Sequence, residues 1–198
     1  MSEAVGKTRS TRTTWQKIAR RIRVPLGFVF AGVFLWLARP TWQLMLGSLL
    51  LVVPGLWLRG FAAGYVRKNA ELTTTGPYAH TRNPLYLGSM MIAFGFAAAS
   101  GRWAILVVLT VLFLAIYLPT ILSEEEFLRG QFPGFDAYAA KVPRLLPRLT
   151  PARMGGAAQQ TAGVFSRQLY LHHREYNAAM GAVAIYAALA VRLWFLSR

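Results

Sequence analysis

Residues 103–122, WAILVVLTVLFLAIYLPTIL, form an unbroken run without Asp, Glu, Lys or Arg. A helix rises about 1.5 Å per residue, so about 20 residues cross the hydrocarbon of a bilayer, which is about 30 Å thick. Apolar residues occupy every face of such a helix, which is typical of a helix with lipid on one side and protein on the other. The run therefore predicts a membrane-spanning helix.

Four further stretches lack these charged residues, and hydrophobic residues make up 55% of the chain. They lie between the charged residues at 23 and 39, 39 and 59, 82 and 102, and 175 and 192. We interpret the first as a retained span rather than a secretory signal, because a long polar segment precedes it and more candidate spans follow. The sequence thus predicts an all-α, polytopic membrane helix bundle with about five transmembrane helices.

Basic residues set the expected orientation. The formal net charge is +15, and seven Lys and Arg residues precede the first apolar stretch. The positive-inside rule then places the N-terminus in the cytoplasm of a multi-pass protein, in the inner membrane if the source is bacterial. The basic residues lie at the ends of apolar stretches rather than along one soluble face. The expected partner is therefore the lipid bilayer and not nucleic acid, while the oligomeric state stays open.

The same pattern divides the chain into four expected segments. These are a basic cytoplasmic N-terminus (1–23), a membrane core (24–150), a linker with an interfacial segment (151–175) and a C-terminal transmembrane helix (176–198). The sequence has no cysteine, which excludes disulfides, a thiolate nucleophile and a cysteine metal site.

The first polar segment of interest is TTGPYAHTRNPLYLG, residues 74–88, which leads into the third apolar stretch. Gly76 and Pro77 mark a turn, and Pro84 suits the first turn of a helix, where its missing N–H costs no hydrogen bond. Arg82 then lies at the mouth of the span. An arginine there can bind a carboxylate or phosphate, or can reach to lipid headgroups, and position alone leaves both open.

The second polar segment, residues 123–149, begins where the fourth span ends and contains three consecutive glutamates, 124–126. Carboxylates at the negative end of a helix are unfavourable, so we expect the helix to continue through Arg129, with Gly130 as its C′ residue. Glu125 and Arg129 are spaced for an i, i+4 ion pair. Successive residues are about 100° apart on a helix, so one or two of the glutamates at most can face one pocket.

Other chemistries lack a signature. His80, His172 and His173 show no metal-ligand spacing, so no metal is expected. The sequence also has no G-x-S-x-G elbow, P-loop or Rossmann fingerprint. A nucleotide-like cofactor would therefore need a helical site.

The two polar segments resemble those of the integral-membrane methyltransferases that include isoprenylcysteine carboxyl methyltransferase and the phospholipid N-methyltransferases. TTGPYAHTRNPLYLG is similar to the family's glycine, aromatic, Arg-His-Pro-x-Tyr-x-Gly signature. EEEFLRGQFPGFDAYAAKVPRLLP is similar to its Glu-Glu, Phe-Gly, Tyr, Val-Pro-Arg signature. The resemblance covers about residues 70–148, the expected catalytic part of the core, and implies S-adenosylmethionine as cofactor in a cytoplasmic helical site.

The resemblance also implies roles for individual residues. One or both of Glu124 and Glu125 would bind the cofactor ammonium, and Arg144 is a candidate for the cofactor carboxylate. Arg82 and Asn83 would lie at the reacting group, where Arg82 would position an anionic acceptor or stabilise charge. The cofactor pocket implied by the resemblance is completed by Tyr86, Leu87, Gly88, Val142 and Pro143, with Gly88 allowing close backbone approach.

Two residues depart from the family pattern. Asn83 stands where the pattern often has His, and Pro133 separates the usual Phe-Gly pair. Asn cannot titrate, so it excludes a general base at that position and favours an acceptor that is already anionic, such as a carboxylate or thiolate. His80 is an alternative base, although a lone His in a turn is more often structural.

The resulting hypothesis is S-adenosylmethionine-dependent methyl transfer to a lipophilic acceptor, such as a prenylcysteine-like carboxylate, another lipid or a thiol, at the cytoplasmic membrane face. Phospholipid N-methylation is the alternative. A sterol-reductase-like membrane enzyme and a non-catalytic protein whose basic N-terminus binds anionic lipid are less favoured. No motif identifies the acceptor.

Overall fold

A computed structural model describes residues 31–67, 71–155 and 163–198. These residues contain helices and no β-strand, which confirms the predicted all-α polytopic fold. The chain forms two units, residues 1–37 and 38–198. Of the first unit only helix α1, residues 31–37, is described, so the basic N-terminus and most of the first expected span lie outside the described residues.

Within its described residues, the second unit contains the other helices and two short turns of other helical type. Its elements are α2 (Trp42–Ala63), a 3₁₀ helix (Gly76–Ala79), α3 (Pro84–Ala99), α4 (Trp103–Leu112), a π-helical turn (Phe113–Tyr117), α5 (Leu118–Gln131), α6 (Phe135–Lys141), α7 (Arg167–His172) and α8 (Tyr176–Leu196). Helix α4, the π turn and α5 follow one another without a break and form one helix, Trp103–Gln131.

Three of the described helices are long and apolar enough to cross a membrane: Trp42–Ala63, Trp103–Gln131 and Tyr176–Leu196. Helix α3 is also apolar but has only 16 residues. Large apolar side chains face outward on these helices, and Leu50 on α2 is 80% exposed. Such exposure is expected where the surrounding solvent is lipid. The chain is therefore an integral membrane protein.

The start of α3 follows the prediction, with Pro84 in its first turn and Asn83 at its N-cap. Helices α2 and α3 then pack backbone to backbone through glycines. A Cβ built on Gly88 would lie 2.8 Å from the Gly55 carbonyl oxygen and 2.7 Å from Cγ of Arg59. Small residues allow this close approach. The structure thus gives Gly88 a helix-packing role, which the sequence did not suggest.

Helix α8 packs against the same pair. The hydroxyl oxygens of Tyr186 and Ser48 are 2.6 Å apart, and the Tyr186 ring contacts Phe96 on α3. Leu189 on α8 is fully buried. At the polar end of the bundle, Arg59 on α2 forms a bidentate pair with Glu175, with both N–O distances 3.0 Å. The C-terminal helix is therefore joined to α2 at two levels, through Tyr186 and through Glu175 just before its start, and to α3 through Phe96.

Helix α5 carries the chain well beyond the apolar run. At about 1.5 Å per residue, the 29 residues from Trp103 to Gln131 extend about 44 Å, against about 30 Å of hydrocarbon. The helix continues through Arg129 as predicted, but the expectation for Gly130 was wrong. The helix ends at Gln131 and is capped at Phe132, where the backbone becomes extended, so Gly130 lies inside it.

A small core outside the bundle supports the polar end. Phe135, Tyr138, Val142 and Met154 form one buried cluster. The Tyr138 hydroxyl donates a 2.7 Å hydrogen bond to the carbonyl oxygen of Tyr78, in the 3₁₀ helix. Burial raises the pKa of Tyr138, which keeps the phenol protonated as this donor. The cluster therefore fixes α6 against the segment that leads into α3.

Candidate functional site

Backbone hydrogen bonds join the two polar segments identified in the sequence. The N–H of Arg82 donates to the carbonyl of Pro143 (2.9 Å), and the N–H of Arg148 donates to the carbonyl of His80 (2.9 Å). The buried hydroxyl of Thr81 lies 3.2 Å from the carbonyl oxygen of Arg144. The two segments, distant in sequence, thus form one structural unit at the polar ends of α3 and α5.

Glu125 is the centre of this unit. The residue is 4% exposed, and its carboxylate has three side-chain partners. Oε1 lies 3.2 Å from Nε of Arg82 and accepts a 3.1 Å hydrogen bond from Nδ2 of Asn83. Oε2 accepts a 3.1 Å hydrogen bond from Nε of Arg144. Both carboxylate oxygens are therefore occupied by side chains of the two signature segments.

The charges in this cluster differ in their exposure to water. The Arg82 side chain is 11% exposed and also donates from Nη1 to the carbonyl of Ala139 (3.3 Å), whereas Arg144 is 42% exposed. A buried carboxylate needs paired charge and hydrogen bonds to offset its desolvation, and Arg82 with Asn83 supplies most of this. Arg144 instead keeps part of its guanidinium toward solvent.

Asn83 bridges two acceptors with its side-chain amide. Its Nδ2 donates both to Glu125 and to the carbonyl of Arg144 (3.0 Å). Although Asn83 occupies the N-cap of α3, its side chain makes no cap hydrogen bond. An amide nitrogen has two N–H groups, and these two acceptors use both. Asn83 therefore connects α3, α5 and the segment after α6.

Glu124 lies next to this cluster but in a different environment. It is exposed, and its Oε2 accepts a 2.9 Å hydrogen bond from the hydroxyl of Tyr86 on α3. The Tyr86 ring makes an edge contact with Tyr117, with ring centroids 5.9 Å apart. Tyr117 ends the π turn, and π turns are frequent at functional sites. Glu124 is thus an accessible carboxylate held beside two aromatic rings.

One predicted contact was wrong. Glu125 does not pair with Arg129, because its two carboxylate oxygens are engaged by Arg82 and Arg144. Arg129 instead contacts Asp136 on α6, at 2.7 Å and on the exposed surface. The i, i+4 spacing would allow this ion pair, but the buried donors Arg82 and Asn83 of the first polar segment bind Glu125 instead.

The other predicted site residues have varied surroundings. Val142 is buried in the small core, Pro143 supplies the carbonyl that accepts from Arg82, and Leu87 is 7% exposed. The Nδ1 atom of His80 lies 2.7 Å from the Arg148 carbonyl oxygen, so His80 holds the second segment in place. Gly88 faces α2, as described above.

Sequence reasoning assigned no role to Thr81, Tyr117 or Tyr138, although Tyr138 is the tyrosine of the second signature and Thr81 lies inside the first segment. It also missed the ion pair of Arg59 and Glu175, whose residues are far apart in the sequence. Within residues 31–67, 71–155 and 163–198, no group of three or more His, Cys, Asp and Glu side chains is placed to hold a metal ion.

Comparison with known proteins agrees with the sequence resemblance. Residues 42–134 match the family described as phospholipid methyltransferase. The chain is 35% identical over 125 residues to the nickel-cobalt-cadmium resistance protein NccN of Alcaligenes xylosoxydans xylosoxydans, covering 63% of this chain and 58% of that protein. It is 37% identical over 124 residues to the cobalt-zinc-cadmium resistance protein CzcN of Cupriavidus metallidurans, covering 63% and 56%.

The chain thus aligns with somewhat more than half the length of these two relatives. No solved structure matches it significantly.

Proposed function

We propose that this membrane protein transfers a methyl group from S-adenosylmethionine to a lipophilic acceptor, because residues 42–134 match the family described as phospholipid methyltransferase. The observation that carries the proposal is the buried cluster around Glu125, which joins both signature segments at the polar end of the bundle. A site there is open to a water-soluble cofactor and adjoins the bilayer that holds the acceptor. We place it at the cytoplasmic face, as the distribution of basic residues predicts.

The side chains present suit this cofactor. Its amino-acid part carries an ammonium and a carboxylate. Glu125 already has three partners, so the exposed Glu124 is the carboxylate we assign to the ammonium, with Tyr86 orienting it. Arg144, 42% exposed and held by Glu125, is the guanidinium we assign to the carboxylate. Glu125 would then act as a positioning residue that fixes Arg144 next to Glu124.

S-adenosylmethionine supplies a methyl group bonded to a positively charged sulfur. The work left to the chain is positioning, because displacement at carbon needs the nucleophile, the methyl carbon and the sulfur nearly in line. Arg82 and Asn83 would contribute by fixing the start of α3 to α5 and to the segment after α6. The side-chain amide of Asn83 cannot remove a proton from an acceptor. We therefore propose an acceptor that is anionic at neutral pH, either a carboxylate or a thiolate.

Two alternatives follow from the same site. N-methylation of a phospholipid amine would need a base, and the nearby His80 is instead engaged with Arg148 in the loop. Relatives named for metal resistance suggest a link to metal ions, but the described residues offer no group of metal ligands. We propose no metal site here.

The test is methyl transfer by the full-length protein in membranes. Membranes containing the protein are incubated with S-adenosylmethionine labelled in the methyl group, and label is counted in the lipid extract. Wild type and Glu126→Gln should transfer label above membranes without the protein, whereas Glu124→Gln should transfer at least tenfold less, since a charge-assisted contact contributes about 1.5–3 kcal/mol. Equal transfer by Glu124→Gln and Glu126→Gln would contradict the assignment of Glu124.

A further inference from the structure

Residues 137–174, from within α6 to shortly before α8, include basic residues but no acidic ones. Between Asp136 and Glu175 the sequence has no acidic residue, and it has six Lys and Arg residues. Four of them, at 141, 144, 148 and 153, fall within residues 141–153, which we call the basic-apolar segment. Solvated surfaces usually intersperse both signs of charge, so one sign over this length indicates a partner with negative charge.

The basic-apolar segment also exposes leucines. Leu146 is 76% exposed and Leu149 is 99% exposed, and both lie outside the bundle that contacts lipid along its helices. A leucine side chain exposed to water contributes no hydrophobic stabilisation. Basic residues interleaved with exposed leucines are typical of segments that lie in the membrane interface. The partner that fits both features has negative charge at its surface and an apolar layer beneath.

Contacts within the segment hold its basic side chains close together. Arg148 donates from Nη1 to the carbonyl of Lys141 (2.6 Å), and Lys141 Nζ lies 3.4 Å from the carbonyl of Arg153. Both hydrogen bonds run from a basic side chain to a backbone carbonyl and lie on the exposed surface. The segment is therefore a compact loop that presents a cluster of cations rather than three separate side chains.

The depth of the segment follows from its hydrogen bonds. The N–H of Arg148 is bonded to His80 and the N–H of Ala152 to Ala79, both a few residues before the start of α3. Arg144 reaches Glu125, which lies three residues beyond the end of the apolar run at Leu122. These contacts lie at the polar ends of the apolar helices α3 and α5, so the segment lies at the level where hydrocarbon gives way to headgroups.

We infer that the basic-apolar segment binds the adjacent leaflet of the bilayer, with Leu146 and Leu149 inserted among acyl chains and its cations on anionic phospholipid headgroups. The segment also supplies Arg144 and the carbonyls that fix Thr81 and Asn83. Anionic lipid would thus order one wall of the candidate site. This inference stands on exposure and charge, and it does not depend on which reaction the site performs.

The test uses the absence of cysteine from the chain. The Leu149→Cys variant of the full protein is labelled with an environment-sensitive fluorophore and placed in nanodiscs of phosphatidylcholine, or of an equal mixture of phosphatidylcholine and phosphatidylglycerol. Ala137→Cys, at an exposed position of α6, is the matched control. A third protein carries Lys141→Gln and Arg153→Gln in the Leu149→Cys background. Size-exclusion chromatography verifies that each is folded and monodisperse.

We expect the label at position 149 to shift to the blue and become shielded from an aqueous quencher in the mixed nanodiscs, more than in phosphatidylcholine alone. The label at position 137 should stay exposed in both. Loss of two basic residues should reduce the inserted-to-free ratio by about fivefold for each. A label at 149 as exposed as that at 137 in both lipids would overturn the inference. Equal insertion in both lipids, unchanged by the double substitution, would overturn its anionic part.

Discussion

Replacing Glu125 by Gln removes the charge at the centre of the candidate site while keeping the shape of the side chain. The introduced amide would still accept a hydrogen bond from Asn83, but the guanidinium of Arg82, 11% exposed, would lose its buried counter-ion. Arg144 would lose a partner too, although at 42% exposure water replaces much of that contact. The expected cost therefore comes mainly from the Arg82 pair.

The loss of stability in Glu125→Gln can be estimated from its ion pairs with Arg82 and Arg144. Removing one partner of a buried ion pair costs about 3–5 kcal/mol, because it leaves an uncompensated charge. The half-exposed pair adds at most about 1 kcal/mol. Since Arg82 also keeps its bond to Ala139, the lower end applies, and we expect about 3 kcal/mol in total. For a chain of this size 1 kcal/mol corresponds to about 2–4 °C, so the Tm should fall by about 6–12 °C.

The assay is thermal unfolding of the detergent-purified protein, followed by tryptophan fluorescence at a fixed scan rate. Glu126→Gln is the matched control, because its side chain is exposed one residue away, and it should leave the Tm unchanged. Arg82→Gln and the double substitution complete a cycle. Once Glu125 is neutral, removal of the Arg82 charge should cost less than it does alone.

Two results would refute this reasoning. A Tm for Glu125→Gln equal to that of Glu126→Gln would mean that Glu125 is not buried among cations. Fully additive effects of the Arg82 and Glu125 substitutions would mean that the two side chains do not interact.

Three further predictions use the same thermal assay. Gly88→Ala should lower stability by about 1–3 kcal/mol, because its Cβ would lie 2.8 Å from the Gly55 carbonyl oxygen and force α2 from α3; an unchanged Tm would contradict this packing. Tyr138→Phe should cost about 1 kcal/mol at neutral pH, through the lost bond to Tyr78. Burial raises the pKa of Tyr138 above that of a tyrosine in the unfolded chain, which ionises at about pH 10. The stability that the protonated phenol contributes is therefore complete below about pH 10 and is lost as the pH rises further. The Phe variant should accordingly lose less stability than wild type above about pH 10. Arg129→Ala should leave the Tm unchanged, because its ion pair is exposed, and a clear drop would show that the pair is structural.

The fold could be predicted from the sequence because it depends on composition and local signals. Charge-free runs long enough to cross a bilayer predicted the helices, and Pro84 marked the start of α3 correctly. The persistence of α5 through Arg129 followed from the cost of carboxylates at a helix end. These are properties of one segment and its solvent, and need no knowledge of the partner segment.

The partners of Glu125 could not be predicted in the same way. Arg82, Asn83 and Arg144 lie 19 to 43 positions from Glu125 in the sequence, and the ion pair that spacing favours, with Arg129, does not form. The small residue at position 88 was interpreted from the sequence as allowing ligand approach, whereas the structure gives Gly55 and Arg59 on α2 as its neighbours. Tertiary contacts decided both cases.

The resemblance supplied what the residues alone did not. Two short segments suggested one site, and the hydrogen bonds of Arg82 to Pro143 and Arg148 to His80 bring them together. Which carboxylate would meet a cofactor was left open by the sequence. The difference in exposure between Glu124 and Glu125 now separates an accessible group from a buried one.

The most direct test of the proposed function is isothermal titration of the detergent-purified protein with S-adenosylhomocysteine, which needs no knowledge of the acceptor. We predict saturable binding at one site per chain, weakened at least tenfold by Glu124→Gln and unchanged by Glu126→Gln. No heat of binding at millimolar ligand, from protein that shows a cooperative thermal transition, would contradict the proposal.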